Sequence, residues 1–291
     1  MRFTDGFWQL RDGVTGLYAR EAHDIEVHDR RLVVTAPTKV IETRGDTLNR
    51  PVLTVTLSAP LDGVIGVLIE HHTGGHPHEG FDLPGRRDDI DTAQATSDGG
   101  SITSGDLVAR IGAGPGWNLT FERDGRVLTA SEEKSIALLQ VAETVSLDGP
   151  LLDELRQHRG GGSQPYIHQQ LALGVGELVY GLGERFGPLV KNGQSIETWN
   201  ADGGTSSEQA YKNVPFYLTN RGYGVLVDHP GHVSFEVGSE NVERVQFAVA
   251  GERLQYFLIA GDGPREILER YTALTGRPAL PPAWSFGTWL S

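Results

Sequence analysis

Val233-Ser234-Phe235-Glu236-Val237, Val245-Gln246-Phe247-Ala248-Val249 and Leu254-Gln255-Tyr256-Phe257-Leu258 decide the fold. In each, a large apolar side chain stands at every second position, the period of a strand with one face in a core. Gly238 and Gly251 lie in the gaps, so the stretch predicts three consecutive antiparallel strands. The same alternation recurs upstream at Leu32-Val33-Val34-Thr35, Val52-Leu53-Thr54-Val55-Thr56-Leu57 and Val64-Ile65-Gly66-Val67-Leu68-Ile69. Trp117, Leu119 and Phe121 alternate up to Arg123-Asp124-Gly125-Arg126, and Val127-Leu128 resumes beyond it. An Asp-Gly pair takes the positive φ angles of a tight turn, so this is a hairpin. The fold class is all-β.

One segment reads as helix. In Pro264-Arg265-Glu266-Ile267-Leu268-Glu269-Arg270-Tyr271-Thr272-Ala273-Leu274, the apolar Ile267, Leu268, Tyr271 and Leu274 share a face. Pro264 suits the first turn, Gly263 or Asp262 can cap it, and Gly276 with Pro278 ends it. Leu151 to Arg159 reads equally as a short helix or a loop between glycines. After Pro281-Pro282, Ala283-Trp284-Ser285-Phe286-Gly287-Thr288-Trp289-Leu290 reads as a buried strand, which needs a neighbouring sheet. A sandwich strand could pair with it, but strands, then a helix, then Pro-Pro, then a strand is the order expected at the entrance to a second domain.

Composition narrows the function. The 291 residues suffice for a large core, and the apolar runs are too short to span a bilayer. A net charge of -13 without a basic cluster repels phosphate backbones, so nucleic acid is not an expected partner. With no cysteine there is neither disulfide nor thiolate metal site, and Met1-Arg2-Phe3-Thr4-Asp5-Gly6 lacks the apolar core of a secretory signal; the expected compartment is cytoplasmic.

His71, His72, His76 and His78 form the densest histidine group, but a strand end followed by Gly74, Gly75 and Pro77 does not fix ligand directions, so an exposed polar loop is expected and no metal or cofactor. Gly112-Ala113-Gly114-Pro115-Gly116 and Gly181-Leu182-Gly183 lack the Lys-Ser/Thr and helix of a phosphate loop and read as turns. No Gly-x-Ser-x-Gly elbow occurs. The most unusual stretch runs from Tyr180-Gly181-Leu182-Gly183-Glu184-Arg185-Phe186 through Thr198-Trp199-Asn200-Ala201-Asp202-Gly203-Gly204 to Tyr211-Lys212-Asn213-Val214-Pro215-Phe216-Tyr217. Its aromatic faces can stack on sugar rings while its carboxylates and amides bind hydroxyls. The alternative is that Tyr180, Trp199 and Phe216 are core residues and Asp202 orders a glycine turn.

These blocks, with Thr219-Asn220-Arg221-Gly222-Tyr223-Gly224-Val225-Leu226-Val227 and Thr275-Gly276-Arg277-Pro278-Ala279-Leu280-Pro281-Pro282-Ala283-Trp284-Ser285-Phe286-Gly287, closely resemble the region before the barrel in glycoside hydrolase family 31, its bacterial α-xylosidases above all. The resemblance implies a galactose-mutarotase-like β-sandwich over 1–260, a helical linker over 261–283 and, over 284–291, the first strand of a (β/α)8 barrel otherwise absent from the chain. It also implies a retaining α-glycosidase whose two catalytic carboxyl groups, about 5 Å apart, sit on loops after later barrel strands. No catalytic residue is therefore expected in this chain. The barrel is the expected partner, and an α-linked xyloside or glucoside the expected substrate. Two roles carry over: Asp202 as a contact to a substrate hydroxyl near the leaving group, and Phe286 as an aromatic lining the pocket of the cleaved sugar. Without the barrel, an apolar patch including Trp284, Phe286, Trp289 and Leu290 would be exposed, and self-association into a homo-oligomer is expected. The rival readings are a stand-alone carbohydrate-binding module and an aldose epimerase, for which His168, His229 and His232 are the histidines at hand.

Overall fold

A computed structural model describes residues 2–5, 9–71, 80–87, 92–142, 145, 163–198 and 210–288. A six-stranded sheet runs in the order Val14–Tyr18, Ile136–Val141, Gln164–Ala172, Arg244–Ala250, Val233–Val237, Gln194–Glu197. Facing it is an eight-stranded sheet: Val179–Gly181, Phe216–Thr219, Tyr223–Val227, Arg253–Ala260, Val64–Glu70, Val52–Leu61, Arg31–Pro37, Asp24–His28. A five-stranded sheet, Thr92–Thr96 through Arg126–Ser131, adds Ile102, Leu107, Leu119 and Phe121 to the same core.

Two of the three expected strands pair as predicted: Phe235 lies opposite Phe247 in an antiparallel ladder. The third does not extend that ladder. Arg253–Ala260 crosses to the facing sheet, between Tyr223–Val227 and Val64–Glu70. The reason is occupancy, since the free edge of Arg244–Ala250 is taken by Gln164–Ala172. The alternation survives the crossing. Val233, Phe235, Val237, Val245, Phe247 and Val249 point inward from one sheet, and Leu254, Tyr256 and Leu258 meet them from the other. The Phe247 and Tyr256 rings meet edge to face at 5.2 Å across the sandwich.

The predicted hairpin forms between Leu119–Arg123 and Arg126–Ser131, with φ of 51° at Asp124 and 73° at Gly125, the left-handed pair that matches strand twist. The helix spans Pro264–Thr275, begins after Gly263 with Pro264 in its first turn, and ends at Gly276. It packs on the outer face of the eight-stranded sheet: Ile267 and Leu274 join Leu226, Phe257 and Ile259, and Tyr271 stacks on Phe216 with centroids 4.2 Å apart. Leu268, expected on that face, is exposed. Polar contacts also hold the helix, as Arg270 donates to Ala260 O at 2.6 Å and Arg123 pairs with Asp262 at 2.8 Å.

The strand expected over 284–291 differs in the structure. Ala283–Phe286 makes a single 3₁₀ turn, leaving Trp284 and Phe286 exposed. A strand needs a neighbour to take its backbone N–H and C=O groups, and no described strand pairs with this segment. Residues 289–291 and the segment 151–159 lie outside the described residues. No described helix is long and apolar enough to cross a membrane.

Candidate functional site

From the unusual stretch Thr198, Asn213 and Pro215 line a cleft of about 290 Å³, together with Phe81, His229 and Gly231 among others. Thr198 is tied down twice: its N–H donates to Val233 O at 2.9 Å, and its Oγ1 accepts from Val233 N at 2.9 Å. Beside it, Glu197 receives Ser234 Oγ at 2.8 Å and lies 2.5 Å from His232 Nε2. Burial alone would raise the Glu197 carboxyl, but the His232 hydrogen bond and nearby positive charge bring it down to about 2, so it is ionised at neutral pH. Asn213, which also lines the cleft, follows the strand Ala210–Lys212, which pairs with Glu184–Arg185. Phe81 is held through its N–H, which donates to Asp228 Oδ1 at 2.7 Å. Amide, hydroxyl, imidazole and an aromatic edge therefore share one concavity, a set suited to a neutral polyhydroxylated ligand.

The predicted site residues fare unevenly. Trp199, Asn200, Ala201 and Asp202 follow Thr198 directly but lie outside the described residues, as do His72, His76 and His78. Phe286 is 73% exposed, on the 3₁₀ turn. Phe216 and Tyr217 are core residues, so their aromatic rings do not offer a sugar platform. Tyr180 is half-buried and Phe186 exposed. His71 Nδ1 lies 2.8 Å from Glu252 Oε1. Sequence reasoning missed Phe81 as a cleft residue, while Thr198 lay within the unusual stretch and His229 was named only for an epimerase.

Of the histidines named for an epimerase, His168 stands apart from the Glu197–His232 pair. His168 lies opposite Ala248, Ala248 opposite Ser234, and Ser234 opposite Glu197, which contacts His232. His168 thus stands three strands from Glu197, roughly 14 Å away at strand spacing. It is 3% exposed.

The glycine pair beside the site is structural. Gly181, Leu182 and Gly183 have φ of 108°, 65° and 95°, and a Cβ on Gly183 would stand 2.1 Å from Lys212 O. Gly183→Ala is expected to destabilise the chain by about 2 kcal/mol, read as a lower denaturant midpoint at unchanged slope.

Comparison with known proteins places this architecture. Over its full length the chain is 40% identical to the α-xylosidase XylQ of Lactiplantibacillus pentosus and 42% identical to an α-xylosidase of Emericella nidulans. It spans only 36% and 37% of those relatives. Among solved structures, the cycloalternan-forming enzyme of Listeria monocytogenes superposes with a TM-score of 0.73 at 20% identity, over 95% of this chain and 24% of that one. A GH31 α-xylosidase from a soil metagenome, complexed with xylose, gives 0.64 at 17% identity, over 89% and 35%. Residues 54–236 match the glycosyl hydrolase 31 N-terminal galactose mutarotase-like domain. The chain, whose described residues form an antiparallel sandwich, belongs to glycoside hydrolase family 31 and carries its N-terminal domain.

Proposed function

We propose that this chain is the non-catalytic N-terminal part of a retaining α-glycosidase, an α-xylosidase that removes terminal α-linked xylose. The observation that carries the reading is that both α-xylosidase relatives align with all of the chain while extending to nearly three times its length. Two carboxyl groups about 5 Å apart would perform the double displacement, one as nucleophile and one as acid then base, on the barrel that follows. The sandwich supplies a wall of the substrate pocket. Asp202, four residues beyond Thr198 of the cleft, binds a substrate hydroxyl near the leaving group. Phe286 lines the pocket of the cleaved sugar, where a filled wall disfavours the hydroxymethyl arm that glucose has and xylose lacks. The exposure of Trp284 and Phe286 supports a covering domain. The enzyme acts in the cytoplasm and needs no cofactor.

Asp202→Ala in the longer enzyme is expected to lower kcat/KM on an α-xyloside by about tenfold to a hundredfold, the worth of a charged hydrogen bond, with the melting temperature unchanged. Unchanged kinetics would return Asp202 to a turn-forming role.

A further inference from the structure

Arg185 holds two walls of the cleft. Its Nη2 donates to the carbonyl oxygen of Glu197 at 2.6 Å and to Asn213 Oδ1, while its Nε donates to Leu182 O at 2.9 Å. The Glu197 carbonyl belongs to the peptide unit that leads into Thr198, and both Thr198 and Asn213 line the cleft. These walls come from different ladders: Gln194–Glu197 pairs within the six-stranded sheet, whereas among the described strands Ala210–Lys212 pairs with Glu184–Arg185 alone, in a separate ribbon. One guanidinium thus bridges elements that no shared ladder joins.

The approach to Arg185 is conformationally costly. Gly181, Leu182 and Gly183 take positive φ in succession, and Leu182, with a Cβ, has no intrinsic preference for that region. The turn presses the backbone against the other wall, since a Cβ on Gly183 would also stand 3.1 Å from Asn213 Cα. Its product is a planar fork whose Nε and Nη2 reach acceptors on three segments. Lys offers a single point of charge and cannot reproduce that geometry.

We propose that Arg185 is a positioning residue that sets the spacing of Thr198 and Asn213 in the cleft, and through it the fit of the sugar on the leaving-group side. The identity of the ligand rests on the function proposed above; the clamp does not. In the longer enzyme, Arg185→Lys is expected to raise KM for a disaccharide bearing α-linked xylose by about tenfold while kcat changes less than about twofold, the pattern of a binding group moved out of register. In the 291-residue chain, the same substitution is expected to speed amide hydrogen exchange at Thr198 and Val233 by about tenfold and to leave Val55 and Leu57 unchanged. Unchanged exchange at Thr198 and Val233 overturns the clamp. Faster local exchange with unchanged KM overturns the positioning role, and so does loss of protection at Val55 and Leu57, which would make Arg185 a general stabiliser. A longer protein that turns over no α-xyloside sinks the proposed function instead, and the exchange result alone then upholds or overturns the clamp.

Discussion

Phe247→Ala is expected to destabilise the chain by about 3–5 kcal/mol, enough to populate the unfolded state of a domain with ordinary marginal stability. Phe247 is fully buried where the two large sheets face each other, 6.1 Å from the Phe235 ring on its own sheet and 5.2 Å from Tyr256 on the other. Removing the ring deletes contacts to both sheets, and neither can collapse into the void while hydrogen-bonded to its neighbours. Urea unfolding checks this. A loss near 1 kcal/mol would mean that the sheets pack through the remaining aliphatic residues instead.

Acidification is expected to cost about 2 kcal/mol by pH 5 and about 3 kcal/mol by pH 4 through His168 alone. Burial, only partly offset by the backbone of Lys134, pushes its pKa from the ordinary 6.5 down to about 4. The unfolded chain therefore binds a proton on this ring between pH 6.5 and 4 while the folded chain does not, so stability falls as pH falls through that window. Glu236 and Glu240 act the other way, because burial holds both carboxyls above their ordinary range and the folded state takes up protons first. The comparison that isolates His168 is wild type against His168→Leu across pH 7.5 to 4. The variant should gain on wild type in melting temperature toward acid; parallel curves would show that His168 takes up its proton as readily in the folded chain as in the unfolded one.

Much of the architecture was legible because strand burial writes itself as alternation. Phe235, Phe247 and Tyr256 each point inward, as their spacing required. What the sequence could not reveal was which sheet the strand after Gly251 would join, because the same short turn serves a hairpin or a crossing, and the choice depends on whether Gln164–Ala172 occupies the competing edge. The site was only partly legible. Phe216 belongs to an aromatic cluster that suits sugar stacking in composition, yet its ring is consumed by Tyr271 of the helix, a contact made 55 residues away in sequence. Arg185 could have been suspected from the two glycines just before it, but its partners at Glu197 and Asn213 become neighbours only in the folded chain.

On the function proposed above, this sandwich shapes a sugar site whose bond-breaking acids lie on another domain. Turnover of an aryl α-xyloside should be measured for the purified 291-residue chain and for a longer protein that adds the proposed barrel to it. Hydrolysis is expected from the longer protein and none from the chain alone; pH-dependent turnover by the chain alone would place the acids within these residues, and a longer protein without activity would remove the proposed glycosidase.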